Sequence, residues 1–209
     1  MAIVNDIQEV RGLIVLSLDG VTWLRVRKKH FAKRPLSAGE AIDPEEYIDS
    51  LAAVQAADCY EAALTMLDRS AHASVNLRMK LERAGYVTPA AEAAVARLVD
   101  NRLVDDRRYA ERIAQSQLNK ATGAYAVRRK LRAKHLSEED IDAAMEGFDD
   151  EQQSAACRAA AEKLWRKYAA LPAREGRSKL SQALARRGFG WDAIRSAVDA
   201  LSGDYDEYE

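Results

Sequence analysis

Apolar side chains recur along this chain in three registers of one frame. Leu77, Val127 and Leu180 align, then Leu81, Leu131 and Leu184, then Tyr86, Leu136 and Phe189. The frame continues through Ala91, Ile141 and Ile194, through Val95, Met145 and Val198, and closes at Leu98, Phe148 and Leu201. No gap is needed inside it. A period of about 50 residues marks a tandem array of one supersecondary unit.

Each unit reads as two short helices joined at a corner. Val127 and Leu131 are spaced i, i+4 and share a helical face. Ser137 then opens a second helix as a cap, with Asp140 in the capping-box position. In the first copy Gly85 ends one helix, and Thr88 and Pro89 start the next as cap and first-turn proline. In the third, Gly188 ends the helix and Gly190 stands as the cap. His135 holds the corner position of Gly85 and Gly188, which predicts a structural role at a helix end. A further amphipathic segment precedes each pair, at about 59–70, 106–118 and 151–169. The sequence therefore predicts a mainly α fold, a tandem array of three three-helix repeats with a small N-terminal β-hairpin plus helix. The expected boundaries are 1–57, 58–104, 105–150, 151–203 and an acidic tail, 204–209, expected to fray. A single repeat is too small for much of a core, so neighbours must share one.

The first 57 residues have a different pattern. Residues 11–18 are β-rich, Asp19 and Gly20 are a hairpin turn signal, and 21–27 can pair back. A lone hairpin is marginal in water, so it should dock on something or join another sheet. Asp43 as cap and Pro44 in the first turn start a helix expected to reach about Ala56. Arg25, Arg27, Lys28, Lys29, Lys33 and Arg34 give this arm a basic end. A charge-protected sheet edge is the first reading, and contact with nucleic acid the alternative.

With 209 residues, 48% hydrophobic and 31% charged, and a net charge of −1, the composition fits a soluble helical protein. The near-zero balance hides segregation. Residues 107–136 carry nine Lys/Arg against Glu111 alone, 137–151 carry eight acids and no Lys/Arg, and 158–188 again carry nine Lys/Arg. Two readings stand side by side: neighbouring helices pair their charges, or a basic stripe faces a polyanion or an acidic protein surface. Cys59 and Cys157 lack a CxxC partner and read as small buried residues. The longest apolar run is far too short for a membrane span, no signal peptide is visible, and the expected address is the cytoplasm. His30, His72 and His135 have no ligand at metal spacing. Asp105 and Asp106 read as a helix start rather than a catalytic pair. Trp165, Tyr168 and Trp191 are expected in the core, with base stacking as the alternative. No residue supports an enzyme, no cofactor is implied, and catalytic and metal sites are expected to be absent.

Leu103-Val104-Asp105-Asp106-Arg107-Arg108-Tyr109-Ala110, then Gly123 and Val127-Arg128-Arg129-Lys130-Leu131, resemble the central signature of the RecX family. Upstream, residues 63–70, then Leu77-Arg78-Met79-Lys80-Leu81 and Gly85-Tyr86, resemble its first repeat. Tyr109 stands where the family usually has Phe, and His135 where it usually has Gly. The resemblance covers about 58–201 and implies a bacterial regulator of the RecA recombinase. Such proteins are three-helix arrays that lie along the RecA filament on DNA and generally restrain its strand exchange, ATPase and coprotease activity; some bind DNA weakly. It implies a role in recombination, DNA repair and the SOS response, and a monomer with no catalysis of its own. Two other classes stay open on the residues alone: a helix-turn-helix-like DNA-binding protein, and a helical protein-interaction scaffold.

The contact candidates follow from the frame. With Val127 and Leu131 facing inward, Arg128 and Arg132 share an outward stripe, and Arg129 lies further round. Lys130 and Lys134 extend the basic helix. Arg78 is the counterpart in the first repeat, and Arg177, Lys179, Arg186 and Arg187 are the basic residues around the third.

Overall fold

The computed structural model describes residues 1–118, 120 and 122–203, without the side chains of Ser202 and Gly203. The acidic tail 204–209 lies outside the described residues. The strands are β1 (Ala2–Val10), β2 (Leu13–Leu18), β3 (Val21–Arg27) and β4 (Ala41–Ile42). The helices are α1 (Lys28–Phe31), α2 (Pro44–Arg69), α3 (Ser74–Arg83), α4 (Thr88–Asp100) and α5 (Asp106–Leu118), followed by α6 (Ala124–Arg132), α7 (Glu138–Met145), α8 (Asp150–Tyr168), α9 (Ala173–Arg186) and α10 (Trp191–Gly203). The described residues form two compact units, divided between Asp105 and Asp106.

In the first unit the expected β2–β3 hairpin is present, but it belongs to a four-stranded sheet of order β3-β2-β1-β4. β1 pairs antiparallel with β2 from Val4↔Leu18 to Val10↔Leu13. Two tight turns make this possible. Asp19 and Gly20 both have positive φ (48° and 81°), and so do Arg11 and Gly12 (51° and 80°). That is the backbone of the primed turns that suit twisted hairpins. The hidden turn is the second one: Arg-Gly is a weaker signal than Asp-Gly, and β1 is mostly exposed and does not alternate apolar with polar.

α2 is one helix of 26 residues where two segments with a break between 56 and 59 were expected. Asp43 accepts from the N–H groups of Glu45 and Glu46, and Pro44 stands in the first turn, as the cap signal predicts. The helix continues because 57–58 contain nothing that breaks it, and its inner face is continuous. Tyr47, Leu51, Gln55, Cys59 and Ala63 are all buried and spaced every fourth residue. This stripe joins Ile14, Leu16, Leu18 and Val26 of the sheet to Leu77, Leu81, Val95 and Leu98 of α3 and α4 in one core.

Thr88 does not cap α4; it is already helical, and Val87 stands before it without a side-chain cap. The buried Gln55 side chain replaces that cap. Its amide donates to the Gly85 carbonyl (3.1 Å) and accepts from the Val87 N–H (2.7 Å). One side chain from α2 thus satisfies the open end of α3 and the open start of α4, groups that cost about 1–3 kcal/mol each if buried without partners.

The second unit contains two helix triplets. Val127, Leu131, Ile141 and Met145 are buried in the first. Cys157, Ala160, Ala161, Leu180, Leu184, Phe189, Ile194 and Val198 form the core of the other. Ser137 caps α7 by accepting from the Asp140 N–H (3.1 Å), and its hydroxyl donates to the Asp140 carboxylate (2.6 Å). α6 has no side-chain cap of its own residues. Its first N–H groups are satisfied from the following triplet: Gly123 by the Arg187 carbonyl (3.0 Å), Ala124 by Gln153 Oε1 (2.9 Å) and Tyr125 by the Gly188 carbonyl (3.1 Å). The two triplets are therefore joined through backbone and through the Gln153 side chain.

Candidate partner-binding surface

The basic helix α6 buries Val127 and Leu131 and turns its cations outward. Arg128 Nη1 lies 2.5 Å from Asp142 Oδ1, and Arg132 makes a two-pronged contact with Glu138 (2.7 and 2.8 Å). The Arg132 guanidinium holds the Glu138 carboxyl below its usual range. Both arginines of the expected stripe are thus engaged by acids of α7. Exposed pairs of this kind are weak and screened by solvent, so they are easily exchanged for other partners. Arg129, Lys130 and Lys134 are exposed, and among the described residues no carboxylate pairs with them.

The remaining candidates separate. Arg78 lies in the first unit and bonds to Glu82 (3.0 Å), with Glu92 at 3.6 Å. Lys179 pairs with Glu175 one turn away (2.7 Å), and Arg177 is half-buried. Arg186 and Arg187 are exposed at the corner after α9, and the Arg187 carbonyl touches the first residues of α6. That places them at the N-terminal end of α6, whereas Arg129–Lys134 occupy its C-terminal end, roughly 10 Å along the axis.

Half of the basic N-terminal arm is engaged internally: Arg27, Lys28 and Lys29 bond to acids, whereas Arg25, Lys33 and Arg34 are exposed. Asp58 on α2 receives Lys29 Nζ at 2.5 Å, the Tyr86 hydroxyl at 2.7 Å, and Arg27 Nη1 and His30 Nε2 at 3.2 Å each. Burial alone would raise the Asp58 carboxyl, but the bonds from Lys29 and Tyr86 and the nearby positive charges outweigh it and hold it at about 2. His30 is 2% exposed, and burial lowers its pKa, opposed by Asp58 and reinforced by Lys29, Arg27 and Lys33. Lys28 bonds to Glu9 of β1 (2.7 Å). The arm's charge therefore fastens the sheet to α2. The sequence could not show this, because Asp58 is the one acid that four distant residues converge on.

The expectation that Trp191 belongs to the core fails. Trp165 and Tyr168 pack against the core of the last triplet, but Trp191 is 65% exposed. It is the first residue of α10, where its side chain precedes the buried stripe of Ile194, Ala197 and Val198. Tyr125, near the start of α6, is 69% exposed. Both rings line a cleft of about 470 Å³ between the two triplets, together with Arg128, Phe148, Asp150, Gln153 and Asp192. Cys59 and Cys157 are buried free thiols, as expected, and burial pushes them up to about 12 and about 11. Among the described residues no helix is long and apolar enough to cross a membrane, and no cluster of His, Cys, Asp or Glu has the makings of a metal site.

Three family descriptions match the chain in order: RecX first three-helix domain over 59–98, second over 105–145 and third over 150–198. A regulatory protein RecX from Chlorobaculum tepidum is 36% identical over 143 residues, covering 68% of this chain and 87% of its own. A regulatory protein RecX from Limosilactobacillus reuteri is 28% identical over 197 residues, covering 94% of this chain and 75% of its own. A crystal structure of regulatory protein RecX superposes with a TM-score of 0.65 at 27% identity, covering 95% of this chain and all of that one.

Proposed function

The chain belongs to the RecX family, and on that premise we propose that it binds RecA filaments on DNA and restrains their recombinase, ATPase and coprotease activities. The observation that carries this reading is the tandem of three RecX three-helix domains in one chain, matched over most of a curated regulatory protein. A repeating helical partner suits a repeating filament, and it needs no active site to act on one. In this reading the protein is a cytoplasmic monomer, and any contact with bare DNA is weak.

The contact surface proposed for this member is the outer face of α6. Arg129, Lys130 and Lys134 are already open there, and Arg128 and Arg132 can exchange their weak acidic partners for those of a filament. Arg78 in the first unit, and Arg177, Lys179, Arg186 and Arg187 in the second, are the secondary contacts of this reading. The function is tested by RecA ATPase on single-stranded DNA. Substoichiometric chain lowers the rate; an unchanged rate at equimolar chain removes the regulatory reading. The surface is tested by Arg128→Ala with Arg132→Ala. The loss of interface arginines lowers filament affinity on the order of thirtyfold, about 2 kcal/mol, while the melting temperature holds. Unchanged affinity would show that the two arginines serve only their pairs with Asp142 and Glu138.

A further inference from the structure

We propose that the cleft between α6, α8 and α10 receives an arginine side chain presented by a protein partner. The inference rests on the filament-binding reading for the source of that arginine, and on the cleft itself for its chemistry.

Its walls are aromatic and open. Tyr125 is 69% and Trp191 65% exposed, and Phe148 adds a third ring. Large rings left in water beside a concave surface are characteristic of the anchoring part of an interface. The packing of this protein does not require them to be there: Val127 and Leu131 hold α6 to its triplet, and Ile194, Ala197 and Val198 hold α10.

The charge inside the cleft selects the occupant. Asp150 and Asp192 line it, and among the described residues neither carboxylate has a salt-bridge partner. Arg128, the one cation among the described residues that line it, pairs with Asp142 at 2.5 Å. The positive ends of α6 and α8 give an anion little to bind, and the start of α10 carries its own acid, Asp192, in the first turn. The first N–H groups of α6 are taken by Arg187, Gln153 and Gly188, and the start of α8 is capped by Asp149, which accepts from the Gln152 N–H at 2.7 Å. A phosphate would meet two carboxylates and no open donor on α6. A guanidinium would meet ring faces on which it can stack and carboxylates that match its planar fork. The volume, about 470 Å³, falls within the range of about 300–1,000 Å³ typical of clefts that hold a ligand.

The test uses the full chain and two measurements. In the first, the three tryptophan indole N–H resonances are followed by NMR, with the Trp191 resonance assigned as the one lost in Trp191→Phe. N-acetyl-arginine amide is titrated against N-acetyl-citrulline amide, its neutral isostere, and against thymidine monophosphate. The arginine amide shifts the Trp191 resonance saturably, with an affinity on the order of millimolar. Citrulline does not, and Asp150→Asn with Asp192→Asn abolishes the shift. No saturable shift with arginine, an equal shift with citrulline, or saturation by the nucleotide instead would each overturn the proposal. In the second, the same double variant is measured for affinity to RecA filaments on DNA, where it loses about tenfold at unchanged melting temperature. If the wild type binds filaments and the variant binds equally well, the cleft is not the anchor. If the wild type itself does not bind, the filament reading fails, and the arginine titration still decides the chemistry of the cleft.

Discussion

The three helix corners at Gly85, His135 and Gly188 occupy the same place in the repeat frame, yet their surroundings differ. All three residues have left-handed backbone, with φ of 88°, 61° and 82°. Gly85 is buried under the sheet, where the Arg27 N–H reaches its carbonyl (3.4 Å) and Gln55 bonds to it. Gly188 is buried under α6, with its carbonyl bonded to the Tyr125 N–H. His135 is exposed. The helix end requires the left-handed conformation in every copy, but only a covering backbone excludes a side chain there. The residue type at the corner thus reports whether a neighbour sits on it. The middle copy is the one whose corner and basic helix end are both left open.

The sharpest way to break that difference is to put a side chain where the cover lies. A Cβ on Gly188 would collide with the backbone nitrogen and Cβ of Ala126, and the left-handed backbone adds its own penalty. Gly188→Ala is expected to destabilise the second unit by about 3 kcal/mol or more. For a unit of this size that lowers its melting transition by about 15 °C. Tyr125 and Gly123 would lose their backbone partners, so amide exchange at the start of α6 should accelerate as well. A melting temperature within a degree or two of wild type would show that the two triplets are not joined there.

At Gly85 the same substitution meets softer ground. The added Cβ would lie 2.8 Å from a Leu13 methyl carbon, which can rotate away, but also 3.1 Å from the Arg27 backbone nitrogen. Gly85→Ala should cost about 2–3 kcal/mol, read as a lower transition for the first unit alone.

Acid distinguishes the two covered corners without any mutation. The cover over Gly85 is held by the Arg27–Asp58–His30–Tyr86 cluster, and the cover over Gly188 involves no titrating side chain. His30 has its folded pKa lowered below 6.5 by burial, so the unfolded chain binds a proton that the folded one refuses. Stability of the first unit therefore falls as pH drops below about 6.5. Asp58, depressed to about 2, contributes stability that is complete above about 4 and is lost as pH falls towards 2. Melting of wild type between pH 7.5 and 3 should show the first unit weakening ahead of the second, and His30→Phe should remove the upper part of that dependence. Parallel weakening of both units would contradict the assignment.

The helical part of the fold was legible because a buried face leaves a period. Val127 with Leu131, and Ile194 with Val198, announce their helices by spacing alone, and the resemblance to RecX adds the register. What stayed hidden depended on partners distant in sequence. β1 has no hydrophobic alternation of its own and is held by Arg11 and Gly12 turning it back onto β2. The absence of a break in α2 follows from Cys59 and Ala63 continuing the stripe of Leu51 and Gln55. Gln55 and Gln153 act as caps for helices they do not belong to, which no local capping pattern reveals. At the candidate surface the stripe of Arg128 and Arg132 was readable, but their pairing with Asp142 and Glu138 was only one of two readings of the charge segregation. The cleft at Trp191 was missed because helical spacing cannot distinguish a ring turned inward from one at the first residue of a helix.

The smallest effect concerns the open corner. His135→Gly relieves a left-handed conformation that costs a residue with a Cβ about 1–2 kcal/mol. Against this, glycine raises the entropy of the unfolded chain, a loss of about 0.4–1 kcal/mol. The imidazole is exposed and covers no core residue, so removing it sacrifices little packing. The balance is a gain of about 0.5–1 kcal/mol. That raises the melting temperature of the second unit by a few degrees, about 4–8 °C per kcal/mol in a domain of this size. His135→Ala keeps the strain and should give no such gain, so the pair of variants separates backbone relief from loss of the ring. If instead glycine lowers stability, the imidazole makes a contact that matters and the corner is not open. If stability rises while filament affinity drops, the exposed ring belongs to the binding surface, and the basic end of α6 extends across the corner to His135.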